Sequence, residues 1–463
     1  MLFSSLEFLY IFLPITVSVY FLTPKRFKNV TLLVSSLLFY AVGEPIYLFL
    51  MLAVIASCFF FGYLVDKERH SPAFCKTSLV AAVATVLMLL GFFKYFDPVA
   101  STLPFLSPLG IALPLGISFY SFQALSYVID VYRGEVKRAP SIVDFGTYVS
   151  LFPQLVAGPI VKYSEIDLAL SEREHSFSLA ADGIRRFLIG LSKKVLLANT
   201  AGEMWERMCL VGKYDNTVFG AWLGILFFAF QIYFDFSGYS DMAIGLGKLF
   251  GFDFPENFNY PYISHSATEF WRRWHITLSS FFREYVYIPL GGNRRGRKRT
   301  YLNLLAVWSL TGMWHGAALN FLFWGLYYFL ILSLEKTFLL KILDRMPRVF
   351  AHLYTVIITL LGWVIFSADT IEGGALPYLA RMFGIAAAKF FGGSDAYELV
   401  RTIPLLIIML LASTPIPKMI FKKIFKGENS TTPARNFLCL ASLFLCTARL
   451  VASGYNPFLY FRF

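Results

Sequence analysis

Charge is scarce in this chain of 463 residues. Asp, Glu, Lys and Arg make up 15% of it, where an ordinary soluble domain carries about a quarter. Set beside 57% hydrophobic residues, 18% aromatic residues and a mean hydropathy of +0.61, that deficit excludes a single water-soluble core, which has no room to hide so much apolar surface. Cysteine is scarce too. Of the five present, Cys58, Cys439 and Cys446 lie inside apolar segments with no paired spacing, which excludes a disulfide framework or thiol redox motif and reads as small core residues. No HExxH pattern or Cys/His cluster with ligand spacing appears, so no metal is expected. GxSxG and Walker patterns are also missing, and a serine hydrolase or ATP-driven pump finds no support. Residues 1–20 are apolar but lack the basic start and small-residue cleavage site of a secretory signal, so they are expected to stay as the first span.

What the chain does have is apolar runs of bilayer-crossing length. They fall near 6–22, 30–42, 46–65, 77–95, 111–131, 184–199, 217–247, 301–335, 350–368, 397–415 and 436–453, and predict an all-α integral membrane protein with about 11 to 12 transmembrane helices. There is no internal repeat, linker or soluble domain, so residues 1–463 read as one membrane domain. The net charge of +12 does not point to nucleic acid, because the basic residues sit in short loops. Lys25, Arg26 and Lys28, then Arg133, Lys137 and Arg138, then the cluster from Arg294 to Arg299 mark the cytoplasmic side. As one helix, the run 301–335 would be about 50 Å long at 1.5 Å per residue. It is expected to turn back, which returns Lys336, Lys341, Arg345 and Arg348 to the cytoplasm.

Some segments are too broken or too polar for simple spans. "LPLGISFY" holds Pro114 and Gly116, and "LFPQLVAGPIV" holds Pro153, Gly158 and Pro159, so both must pack on protein or line a wet cavity. Residues 267–292 carry five charges and read as an interfacial amphipathic helix with Trp271, Trp274 and Tyr285 as belt residues. His275 in that stretch precedes the uncharged "ITLSSFF" and is a candidate to face the cavity. His315 lies in mid-run before Gly316, Ala317 and Ala318, small neighbours that leave room for a ligand. An ionisable residue at membrane depth is a functional candidate, and an imidazole can take a proton from an attacking hydroxyl. Asp235 and Asp241 read as supports paired with Arg or backbone groups, with a proton path as the alternative.

The strings "LPLGISFYSFQALSYVIDVYRGEV", "LFPQLVAGPIVKY", "YFDFSGYSDMAIGLGKLFGFDFPENFNYPY", "FWRRWHITLSSFFREYVYIPLGGNR" and "TGMWHGAALNFLFWG" together resemble the bacterial branch of the membrane-bound O-acyltransferases. The resemblance implies a ring of helices, with re-entrant and interfacial pieces, around a thin membrane centre. It makes His315 in "MWHG" the catalytic histidine and His275 in "RRWH" the second signature position. It further implies a multi-pass enzyme of the bacterial cytoplasmic membrane with no permanently bound cofactor. Such an enzyme would move an acyl group, expected to be acetyl, from acetyl-CoA or an acyl carrier protein toward an envelope polysaccharide. The C-terminal "GYNPFLYFRF" is expected to reach the outer face, where the resemblance makes Tyr460 an acyl relay serving an extracytoplasmic acyltransferase partner. From the residues alone this tail also reads as an aromatic anchor. The rival readings are a polymer or lipid transporter and a non-catalytic scaffold; neither gives the "RRWH" and "MWHG" pair a role.

Overall fold

The computed structural model describes residues 1–209, 216–425 and 432–459. Among these the chain is helical, with no strand beyond two isolated bridges, and it divides into two compact units: Met1–Leu191 with Tyr239–Glu256, and Ser192–Gly238 with Asn257–Phe463. Among the described residues five helices are long and apolar enough to cross a bilayer: Leu48–Lys67, Pro72–Ala100, Val218–Leu249, Arg348–Phe366 and Pro433–Ala452. Gly393–Ala412 and Ile416–Ile424 make a sixth if this pair, bent by 77°, is one broken span. Helices of that length therefore do not reach the expected 11 to 12. The other runs form shorter or more polar pieces. Lys28–Gly43 has 16 residues and Ile117–Arg133 has 17, which is about 25 Å of helix against a hydrocarbon core of about 30 Å.

In the first unit the broken segments pack on protein. Gly116, at φ +73°, opens the Ile117–Arg133 helix, and a Cβ there would lie 2.5 Å from the Leu155 carbonyl oxygen. Only glycine lets "LPLG" touch "LFPQLVAGP" so closely. Gln154 Nε2 donates to the Tyr148 carbonyl at 2.6 Å, and the Tyr148 hydroxyl donates to Val161 O at 2.9 Å. These two side chains thus supply hydrogen bonds to backbone near the break, where lipid has none to give. Asp241 pairs with Arg186 at 2.6 Å, in keeping with a supporting role.

In the second unit the 301–335 run does turn back: the helices Gly296–His315 and Leu319–Leu334 are separated by Gly316, Ala317 and Ala318. Gly312 abuts the Phe321 backbone and Gly325 the Trp308 backbone. Four residues back on one helix match four forward on the other, which is an antiparallel hairpin. Residues 267–292 are not one interfacial helix. They form Ala267–Arg273 and Ile276–Phe282, broken at Trp274 and His275, then a wide turn at Arg283–Tyr287. Nor are Trp271 and Trp274 headgroup belt residues. The Trp271 ring stands edge-on to Trp308 at 4.9 Å and Tyr328 at 4.8 Å, and Trp274 lies 5.0 Å from Trp363. Contacts with so many rings draw Trp274 into the core and pack the half-buried Trp271 against it.

Candidate active site

The seven-residue Ala267–Arg273 helix is fixed at its start by the buried Glu335. Its carboxylate accepts from the Ala267 and Thr268 amides at 2.7 and 2.8 Å and from the Thr268 hydroxyl at 2.6 Å. The Ser266 hydroxyl accepts from the Glu269 amide at 3.0 Å. A negative group at a helix N-terminus satisfies amides that have no partner within the helix. So short a helix gains its direction from these anchors, and it ends by delivering His275.

His275 is held in the left-handed region, φ 45° and ψ 56°, which costs a side-chain-bearing residue about 1–2 kcal/mol. Asn257 sustains it. The Asn257 carbonyl accepts from the Ile276 amide at 3.0 Å, and the Asn259 amide donates to Arg273 O at 2.9 Å, so residues 257–259 and 273–276 run as a short antiparallel pair. Asn257 Oδ1 receives the Thr277 amide at 3.3 Å and the Thr277 hydroxyl at 2.9 Å, and lies 3.0 Å from His275 Nδ1. A backbone amide can only donate, so that atom is the oxygen and His275 Nδ1 carries the proton. In its neutral form the ring then presents an acceptor at Nε2. It can orient a hydroxyl, whereas donating to an oxyanion would require a second proton.

His315 is the last residue of its helix. Trp314, Trp324 and Phe366 stand edge-on to its ring at 5.0, 5.0 and 5.4 Å. Trp314 also lies 5.9 Å from the His275 ring, and Phe236 closes on His275 at 4.7 Å. The two histidines, 40 residues apart in sequence, thus flank one indole inside one buried aromatic enclosure. A Cβ on Gly316 would overlap the Phe321 ring, so this glycine serves the packing of the hairpin.

Tyr460 lies outside the described residues. The tail leading to it is docked: Phe458 and Leu459 are buried, Leu459 joins the large hydrophobic core of the second unit, and its amide donates to Asp235 Oδ2 at 2.8 Å. Asp235 also pairs with Lys194 at 2.8 Å, which fits a supporting role. Sequence reasoning missed Asn257 and Glu335. The only available signal for Asn257 was its place in "FPENFNYPY", and Glu335 looked like an ordinary charge at a span end. Among the described residues no group of His, Cys, Asp and Glu gathers as a metal site.

Two buried imidazoles around a shared aromatic wall suit proton transfer in a dry pocket. Residues 131–369, which contain both, match the family model of MBOAT, the membrane-bound O-acyltransferase family. The chain belongs to the membrane-bound O-acyltransferases. It is 36% identical to the probable alginate O-acetylase AlgI of Pseudomonas putida, over 100% of both chains. It is 33% identical to the peptidoglycan O-acetyltransferase of Helicobacter pylori, over 100% of this chain and 98% of the relative. Similarity to the teichoic acid D-alanyltransferase of Bacillus subtilis is weaker: 28% identity over 62% of this chain and 76% of the relative. This membrane-bound O-acyltransferase is a multi-pass protein, and membership in an enzyme family sets aside the transporter and scaffold readings.

Proposed function

We propose that this acyltransferase takes an acetyl group from acetyl-CoA at the cytoplasmic face of a bacterial inner membrane for O-acetylation of an extracytoplasmic polysaccharide. Acetyl is favoured over D-alanyl because the relatives matched along the whole chain are an O-acetylase and an O-acetyltransferase. The observation that carries the mechanism is the placement of His275 and His315 on either side of Trp314. His315 acts as general base on the Tyr460 hydroxyl, and His275, with its acceptor at Nε2, orients that hydroxyl. The phenolic oxygen attacks the thioester carbonyl, the proton passes to His315, and the C–S bond breaks. The thiolate of coenzyme A takes the proton and leaves an acetyl-tyrosine ester. A separate extracytoplasmic acyltransferase then moves the acetyl group to a sugar hydroxyl and frees the phenol. The docked tail supports this route.

Purified full-length protein incubated with radiolabelled acetyl-CoA should acquire label on the C-terminal peptide. His315→Ala should stay folded in detergent and lose at least a hundredfold in labelling, within the range of general-base contributions of about 10²–10⁴. Tyr460→Phe should acquire no ester. Labelling of His315→Ala at the unsubstituted rate overturns the general-base assignment, and polymer acetylation unchanged by Tyr460→Phe overturns the relay.

A further inference from the structure

The chain buries an ion pair that the proposed chemistry does not use. Lys194 and Asp235 are each 2% exposed in their side chains and lie 2.8 Å apart. Burying two charges is costly unless their remaining hydrogen-bonding capacity is filled. Here the C-terminal tail helps to fill it, with its backbone. Lys194 Nζ donates to the Pro457 carbonyl, and Asp235 Oδ2 accepts the Leu459 amide. Asn199 continues the line, its Nδ2 donating to the Tyr455 carbonyl at 3.3 Å and to Asn456 Oδ1 at 3.2 Å. Lys194 and Asn199 are five residues apart, a spacing that an α-helix places on different faces. The wide turn Lys193–Ala198, closed by the Asn199 amide on Lys194 O, brings them together with Nζ 2.9 Å from Asn199 Oδ1. Helices depart from regular geometry in this way chiefly at sites with a task.

We propose that Lys194, Asp235 and Asn199 are a clamp that positions the C-terminal tail for acyl transfer. They are positioning residues: they grip the backbone at Tyr455, Pro457 and Leu459, the last of which precedes Tyr460. That the gripped segment carries the acyl group rests on the relay reading; that it is gripped here does not. The grip falls on main-chain carbonyl and amide groups and on the Asn456 side chain, and it requires a residue other than proline at 459.

The test uses the full chain with Leu459→Cys, which keeps the backbone amide, and a membrane-impermeant maleimide read by peptide mass spectrometry. Labelling at 459 is expressed as a fraction of that reached after denaturation. Removing one charge alone strands its partner and risks misfolding, so the informative variant is the double one, Lys194→Met with Asp235→Leu. The clamp predicts that this pair raises the labelled fraction at 459 at least tenfold. In the native-tail background it predicts at least a tenfold loss of acetyl-tyrosine formation, with the size-exclusion profile retained. Unchanged relative labelling at 459 overturns the clamp, including the case in which thermal stability falls, because that is what a purely structural ion pair would give. Raised labelling together with a Tyr460→Phe variant that still acetylates polymer upholds the clamp and overturns the relay instead.

Discussion

Asn257→Ala tests whether the site depends on a residue that contributes no chemistry of its own. The side chain is fully buried and its oxygen serves three donors, His275 Nδ1, the Thr277 hydroxyl and the Thr277 amide. At about 1 kcal/mol for each hydrogen bond, with a further penalty for stranded buried donors, the loss is about 3–5 kcal/mol. The left-handed backbone of His275 loses a main support at the same time, while the Ile276 amide keeps the Asn257 carbonyl. The thermal midpoint in detergent should fall by several degrees. Release of coenzyme A from acetyl-CoA, followed with a thiol reagent, should fall about 100-fold, the penalty expected when a reacting group is displaced by about 1 Å. Because Asn257 acts through His275, Asn257→Ala combined with His275→Ala should be no slower than His275→Ala alone. A folded Asn257→Ala enzyme with normal turnover, or a double variant showing two multiplied losses, would refute the reasoning.

Glu335→Ala strips the buried start of the Ala267–Arg273 helix of its acceptors, and should cost about 2–4 kcal/mol in thermal unfolding and shift the tryptophan fluorescence of the aromatic core. Glu335→Gln, which keeps one carbonyl oxygen, should lose roughly half as much; equal losses would mean that the amides are not its essential partners. Gly316 has extended backbone open to any residue, so Gly316→Ala should destabilise by about 1–3 kcal/mol through overlap with Phe321 alone. Shortening Phe321 to Leu in the same protein should recover part of that, and strictly additive penalties would contradict the assigned contact.

The class of protein and the broken segments were legible because they follow from composition and from local rules about proline, glycine and lipid. The turn at 316–318 was legible for a similar reason, since an overlong run with basic residues at its far end has few ways to satisfy both length and charge. His315 stood out as an ionisable group in an apolar run. What could not be read was anything set by contacts between distant segments. Trp271 and Trp274 flank the charged pair Arg272 and Arg273 and looked interfacial, and only the meeting with Trp308, Tyr328 and Trp363 packs them on the core. Asn257 acquires its meaning from a partner 18 residues on, and the left-handed turn at His275 carries no glycine to announce it. The count of spans was the least legible feature, because hydropathy alone does not show that Lys28–Gly43 and Ile117–Arg133 stop short of full bilayer length.

Asp235 and Phe236 are consecutive on the Val218–Leu249 helix, and their side chains serve opposite ends of the proposed transfer. Asp235 holds the Leu459 amide, while the Phe236 ring stands edge-on to His275. Neighbouring residues on a helix project about 100° apart from Cα atoms about 3.8 Å apart, so one turn presents the tail on one side and the imidazole on the other. A rigid helix is a better ruler than a loop for two groups that must meet, and this one is buried along most of its length. The same arrangement explains why two carboxylates so close in sequence have separate duties. Asp241 lies nearly two turns further on and pairs with Arg186 in the first unit, while Asp235 lies in the second, where its charge is matched by Lys194 and completed by the tail. The Lys194–Asp235 pair thus holds the backbone of the tail, while Asp241 is matched by a side chain. In the proposed mechanism the proton transfer falls to His315, whose ring is walled by Trp314, Trp324 and Phe366.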